Sequence, residues 1–99
     1  MLIGVPRELL DSENRVAATP KTVQQILKLG FDVIVEYNAG FKASFEDQAF
    51  IDAGAKIGSS SEVWHSDVIF KVNPPTDAEI DQMKEGATLV LSLIHISEP

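Results

Sequence analysis

Cysteine is absent from the 99-residue sequence. This absence excludes disulfide bonds, thiolate metal sites and cysteine nucleophiles, because each of them needs a thiol sulfur. A chain of this length makes at most one small domain with a modest core, and that core must hold together without covalent cross-links. The absence of cysteine is typical of a protein from a reducing compartment.

Basic residues are scarce, since 8 lysines and arginines stand against 15 aspartates and glutamates and give a net charge of −7. Phosphate backbones and anionic membrane surfaces repel such a chain, so the sequence argues against nucleic-acid binding. Long apolar runs are also missing: the longest, Ala87–Ile96, is interrupted by polar residues and is too short to span a bilayer. The amino terminus lacks the basic and apolar regions of a signal peptide. We therefore expect a soluble segment that does not insert into a membrane.

The glycine-rich loop that binds dinucleotides is missing as well. Six glycines are present, but they never form the pattern G-x-G-x-x-G. Dinucleotide binding needs glycines at a strand-to-helix turn, where the backbone must approach a pyrophosphate. The sequence thus predicts no cofactor-binding residue, and this segment is not expected to bind NAD(H) tightly.

Metal-binding and nucleophile patterns are missing too. His65 has no second histidine, cysteine or carboxylate at metal-ligand spacing, and the acidic clusters lack the glycine and final glutamate of an EF-hand. The serines at 59–61 have no recognisable base, and helix capping explains them. We predict neither a metal site nor a catalytic residue.

Short β-branched runs alternate with helix-period segments, which is the pattern of an α/β domain with a parallel sheet. Val33-Ile34-Val35 is apolar on both faces of its strand, as expected for a sheet covered by helices on both sides. The predicted strands are Leu2–Val5, Asp32–Tyr37, Ala55–Ile57, Asp67–Val72 and Ala87–Val90.

Capping signals divide the helices from these strands. Thr19 and Pro20 begin the first helix, and Ser44 with Asp47 predicts a capping box for a second over Phe45–Ala53. The remaining helices are expected after the capping box Ser59–Glu62 and after Thr76. The acidic residues Asp77, Glu79 and Asp81 are interpreted as charges near a helix N-terminus that complement its dipole. Glycines 30, 54 and 86 are predicted to end three of the helices.

The stretch RVAATPKTVQQILKLGFDVIVE, together with the opening Leu2-Ile3-Gly4-Val5 and the turn Pro6-Arg7-Glu8, closely resembles the start of the alanine dehydrogenase and nicotinamide nucleotide transhydrogenase family. The resemblance runs over residues 1–90 and covers the first part of the family's N-terminal domain. It implies that the sheet is incomplete in this chain. The fold class is therefore an incomplete flavodoxin-like or Rossmann-like doubly wound, mainly parallel sheet with flanking helices.

The resemblance is greatest to the alpha subunit of the transhydrogenase branch. It implies hydride transfer between NAD(H) and NADP(H), coupled to proton translocation, in a complex with a beta subunit and a second alpha subunit at the cytoplasmic face of the bacterial inner membrane. The nucleotide-binding domain lies further along such a chain, so we expect this segment to be inactive alone. Two alternatives stay open: part of a soluble NAD-dependent alanine dehydrogenase, and a non-enzymatic flavodoxin-like binding module.

Arg15 and Lys71 are the candidate substrate-binding residues of the alanine dehydrogenase alternative. In that branch, the resemblance implies that an arginine and a lysine at these motif positions hold the keto acid. Arginine matches a carboxylate with two parallel hydrogen bonds, and lysine polarises a carbonyl. Yet RVAATP and KVN are more similar to the transhydrogenase branch, in which no keto acid is bound. Lys71 also has a structural interpretation, in which its side chain extends along the sheet edge to solvent.

The ending LSLIHISEP, Leu91–Pro99, departs from the resemblance. One reverse translation of these residues resembles the transposon-end adapter of a common sequencing-library preparation. We therefore expect residues 91–99 to be adapter-derived and not native. The alternative is a natural strand with a polar terminus, and the nucleotide sequence distinguishes the two.

Overall fold

The computed structural model describes residues 1–7, 18–40, 45–72 and 76–91. Within these ranges, strands and helices alternate along the chain, as the apolar pattern predicts. The elements are β1 (Leu2–Val5), α1 (Pro20–Lys28), β2 (Asp32–Glu36), α2 (Asp47–Asp52), β3 (Lys56–Gly58), α3 (Ser60–Trp64), β4 (Val68–Lys71), α4 (Asp77–Gln82) and β5 (Thr88–Leu91).

The strands form one sheet in the order β3-β2-β1-β4-β5, and every neighbouring pair is parallel. A parallel neighbour can be reached only by a crossover, and a helix makes the crossover in each described connection. The predicted doubly wound parallel sheet is confirmed. Its strand order is that of the first five strands of a dinucleotide-binding fold.

Side-chain caps set where three of the helices begin. The hydroxyl of Thr19 accepts a hydrogen bond from the backbone N–H of Thr22 at 3.2 Å, and Pro20 occupies the first helical position. Capping boxes open α3, with Ser59 and Glu62, and α4, with Thr76 and Glu79. These caps satisfy backbone donors that a helix N-terminus otherwise leaves without partners.

The beginning of α2 differs from the prediction. This helix starts at Asp47 and not at Phe45, and its N-cap Glu46 makes no side-chain cap. Asp47 instead accepts a hydrogen bond at 2.7 Å from the backbone N–H of Asn38, a residue whose φ is 61°. The carboxylate therefore stabilises the turn after β2, and the predicted capping box between Ser44 and Asp47 stays a prediction. Ser44 lies outside the described residues.

The end of α4 is a second difference. The helix ends at Gln82, and the next residue, Met83, is already extended with a φ of −69° and a ψ of 139°. Gly86 has a φ of 84°, but it lies in the turn before β5 and does not end the helix. The strand β2 ends one residue earlier than predicted, and β3, β4 and β5 each differ from their predicted bounds by one residue at both ends.

The sheet has one apolar layer on each face. Val23 and Ile26 of α1 and Phe50 of α2 pack against the β1 and β2 side chains of one face, which are Ile3, Val5, Val33 and Val35. On the other face, α3 contacts β1 and β2 and buries Val63 and Trp64. Along β4, Val68 and Phe70 belong to the first layer but are only half-buried. The first face is therefore less well covered toward β5.

Candidate functional site

The sheet order reverses between β1 and β4. From β1 the chain proceeds outward through β2 to β3, whereas from β4 it proceeds in the opposite direction to β5. In open α/β sheets, ligands bind outside the carboxyl ends of the strands at such a switch point. Here β1 ends at Val5 and is followed by the buried Pro6, while β4 ends at Lys71. This edge is the candidate site.

Lys71 is the last residue of β4, and only 2% of its surface is exposed. Its side chain does not extend into solvent, so the structural interpretation made from the sequence is wrong in that respect. Its Nζ lies 3.8 Å from Oε2 of Glu79, which is also buried, and the lysine makes further interactions. A buried ammonium needs compensating charge or hydrogen bonds, and the carboxylate supplies part of that compensation.

Glu79 is a buried carboxylate at the candidate site that the sequence interpretation did not place there. It occupies the third position of α4. The sequence pattern predicts for it only the role of a charge near the N-terminus of that helix. Its Oε1 accepts a hydrogen bond from the backbone N–H of Thr76 at 2.8 Å, and its own N–H donates to Thr76 Oγ1 at 3.2 Å. The T-x-x-E pattern at positions 76–79 identifies the capping box, but only the fold brings this carboxylate to the end of β4.

Arg15 lies outside the described residues. The structure therefore places Lys71 at the candidate site and leaves the pairing of Arg15 with Lys71 as a prediction. A described cation, Arg7, directly follows Pro6 at the end of β1. Its guanidinium lies 5.7 Å from the centroid of the Tyr37 ring, a cation–π distance, at the end of β2.

Glu36 is a buried carboxylate at the carboxyl end of β2. In dinucleotide-binding folds, an acidic residue in this region bonds the ribose hydroxyls. Here the carboxylate accepts a hydrogen bond from the backbone N–H of Arg7 at 3.0 Å, so it holds the segment after β1. That segment starts with Pro6, which has no N–H to offer a phosphate. Neither Pro6 nor Arg7, the described residues directly after β1, therefore has a free backbone N–H for a dinucleotide phosphate.

The amino-terminal edge of the sheet carries a separate polar cluster. Oδ2 of Asp67 accepts a hydrogen bond from the backbone N–H of Leu2 at 2.8 Å, and its Oδ1 pairs with the ammonium of Lys84. These contacts, first with the Leu2 backbone and then with Lys84, hold the pKa of the Asp67 carboxyl below its ordinary value. The cluster links β1, β4 and the turn before β5, and it is a structural feature.

His65 is exposed at the end of α3, and Glu62 beside it belongs to the capping box of that helix. Over the described ranges, no three histidine, cysteine, aspartate or glutamate side chains come together as a group that could hold a metal ion. The same ranges contain no helix of the length and apolarity needed to cross a bilayer.

The family model described as "Alanine dehydrogenase/PNT, N-terminal domain" matches residues 4–99. Over 99 residues, the chain is 76% identical to the NAD(P) transhydrogenase subunit alpha of Haemophilus influenzae. The match includes 100% of this chain and 19% of that protein. It is 39% identical over 98 residues to an alanine dehydrogenase of Staphylococcus saprophyticus, covering 98% of itself and 26% of that enzyme. Alanine dehydrogenases are thus more distant relatives.

A solved structure agrees with this relationship. The crystal structure of transhydrogenase from Sinorhizobium meliloti superposes with a TM-score of 0.89 at 34% identity, over 92% of this chain and 27% of that one. The chain spans a fifth to a quarter of the length of the relatives that it matches. The chain belongs to the alanine dehydrogenase/transhydrogenase family, and the match is to the family's N-terminal domain.

Proposed function

We propose that this chain is the first part of the alpha subunit of a proton-translocating NAD(P) transhydrogenase. The single observation that carries the proposal is the 76% identity to such a subunit over all 99 residues. The segment would form the front of the domain that packs beside the NAD-binding domain and makes one wall of the cleft. Its own residues would supply shape and electrostatics to that wall.

The complete enzyme would transfer hydride between NAD(H), held on the alpha subunit, and NADP(H), held on a beta subunit, and would couple this transfer to proton movement. It would contain a second alpha subunit, and this segment would lie on the cytoplasmic face of the bacterial inner membrane. The nicotinamides supply the reactive chemistry when they are bound. Because the first strand-to-helix turn begins with Pro6 and Glu36 already binds that segment, we assign no nicotinamide contact to the described residues.

The experiment uses the full-length gene from which this chain derives, expressed together with the adjacent gene. Membrane vesicles should reduce an NAD analogue with NADPH, and the rate should respond to the proton gradient. Alanine-dependent reduction of NAD should be at background. A soluble product that oxidises alanine and fails to transfer hydride between nucleotides would contradict the proposal.

Alanine dehydrogenase is the second candidate, and the buried Lys71 at the carboxyl edge favours it. In that enzyme, Lys71 would polarise the keto acid carbonyl and Arg15 would bind its carboxylate. Lys71→Gln in the full-length protein should then lower alanine oxidation by roughly a hundredfold or more, the loss typical of removing one electrostatic contact to the transition state. If the protein is a transhydrogenase, pyruvate should not bind, and Lys71→Gln should not change any activity with alanine or pyruvate.

A further inference from the structure

The chain contains two helix capping boxes with the same hydrogen bonds. At α3, the backbone N–H of Glu62 donates to Ser59 Oγ at 3.4 Å, and the N–H of Ser59 donates to Glu62 Oε1 at 3.1 Å. At α4, the corresponding bonds between Thr76 and Glu79 measure 3.2 and 2.8 Å. The two boxes therefore serve their own helices in the same way.

The surroundings of the two glutamates differ. Glu62 is exposed, whereas Glu79 is only 5% exposed. A helix cap needs no burial, and burying a carboxylate is costly unless it is paired. One oxygen of Glu79, Oε1, is held by the Thr76 N–H, and this bond fixes the orientation of the carboxylate. The other oxygen, Oε2, faces the Nζ of Lys71 at 3.8 Å.

We propose that Glu79 is a positioning residue for Lys71. The α4 capping box holds the carboxylate, and the carboxylate holds the ammonium at the carboxyl end of β4, beside the switch point of the sheet. Lysine has a long side chain with many rotamers, so a fixed counter-charge at 3.8 Å helps to restrict its ammonium to one place, together with the lysine's further interactions. The pairing of Glu79 with Lys71 does not depend on which ligand the carboxyl edge of the sheet receives. We therefore expect it under both candidate functions.

The test is competitive acetylation of the folded full-length subunit with a water-soluble amine reagent, followed by mass spectrometry of each lysine. The exposed Lys56 serves as the internal reference in the same molecule. In Glu79→Gln, the rate at Lys71 relative to Lys56 should rise by about tenfold, because the ammonium leaves its place through local opening. The matched control is Glu62→Gln, which weakens an equivalent cap and should leave the Lys71 ratio unchanged.

Circular dichroism establishes that each variant is folded before labelling. If Glu79→Gln is unfolded, Glu79→Asp replaces it, since aspartate keeps an acid at the capping position but shortens the reach to Lys71. That variant should give an intermediate rate at Lys71. The proposal is overturned if Lys71 stays as protected in a folded Glu79 variant as in the original chain, or if Glu62→Gln exposes it equally. No keto acid or nucleotide is added, so the result is independent of the proposed function.

Discussion

Gly4 lies where α3 crosses β1, and the packing there leaves no space for a side chain. A Cβ at this position would lie 2.4 Å from the carbonyl oxygen of Val63 and 2.6 Å from Oγ of Ser66. The first of these atoms belongs to the backbone of α3 and cannot move without shifting the helix. In a site packed this closely, even one added carbon atom must displace its neighbours, so a single substitution should change the stability measurably.

Gly4→Ala should lower the free energy of unfolding by about 1–3 kcal/mol, the cost of overpacking a well-packed site. Urea denaturation followed by circular dichroism measures the change. Gly58→Ala is the matched control, because the atom nearest to its Cβ would be the end of the Ile34 side chain at 2.7 Å, which is not backbone and can rotate away. Equal losses in both variants would show that the contact with the α3 backbone is not the cause.

Ser66 is buried beside Gly4, and its hydroxyl has no hydrogen-bond partner among the described residues. Leaving a polar group buried without a partner costs free energy. Ser66→Ala should therefore raise the free energy of unfolding, by about 1 kcal/mol. Ser59→Ala, which removes a helix cap, should change stability by a similar amount in the opposite direction. A marked loss of stability in Ser66→Ala would mean that the hydroxyl makes a stabilising contact after all.

The bounds of a helix or strand can be predicted from the sequence where residues close in sequence determine them. The bounds of β1 and the start of α1 at Pro20 follow from an apolar run and from a threonine–proline cap, and both were predicted correctly. The start of α2 was not, because Asp47 bonds the turn at Asn38 nine residues earlier. The Lys71–Glu79 pair likewise requires the spatial position of α4 against β4, which no local pattern encodes.

The stability that Asp67 provides by linking β1, β4 and the turn before β5 should depend on pH. Its pKa is lowered in the folded chain by the Leu2 N–H and by Lys84, so the unfolded chain binds the proton more tightly. The stabilisation is therefore present above the ordinary aspartate pKa and is lost as the pH falls through the lower folded value. Asp67→Asn should reduce the urea midpoint at pH 7, and the difference from the original chain should shrink below about pH 4.

Asp81→Asn, on the exposed surface of α4, is the control for the change of charge alone. It should leave the midpoint nearly unchanged at both pH values. If Asp67→Asn and the original chain differed by the same amount at pH 7 and at pH 3, titration of this carboxylate would not be the cause.

For the whole molecule, the side of the sheet toward β5 is the least protected. β5 is an edge strand, Leu89 and Val90 in it are only half-buried, and Phe70 beside it is half-buried as well. An apolar edge strand is a template for pairing with another chain. We therefore expect the isolated chain to be marginally stable or prone to aggregation.

Removal of Leu91–Pro99 tests the prediction that this tail is adapter-derived. Leu91 is the last residue of β5 and pairs in register with Lys71, while residues 92–99 lie outside the described residues. We expect the deletion to leave the melting temperature unchanged or to improve solubility. A cooperative loss of several kcal/mol, which is about the cost of removing packed core residues, would mean that the tail is native. The nucleotide sequence of the gene beyond Val90 decides the same question independently.

The described strands have the order of a dinucleotide-binding sheet, yet the sequence lacks the pattern G-x-G-x-x-G, and we therefore predict that this chain has no dinucleotide site. In place of a glycine-rich loop, β1 is followed by Pro6, and the buried carboxylate of Glu36 bonds the backbone of Arg7. Isothermal titration of NADH into the purified 99-residue chain tests this claim most directly. We predict no measurable heat of binding at micromolar NADH. Saturable binding with a dissociation constant in the low-micromolar range, as for an ordinary dinucleotide site, would contradict the account.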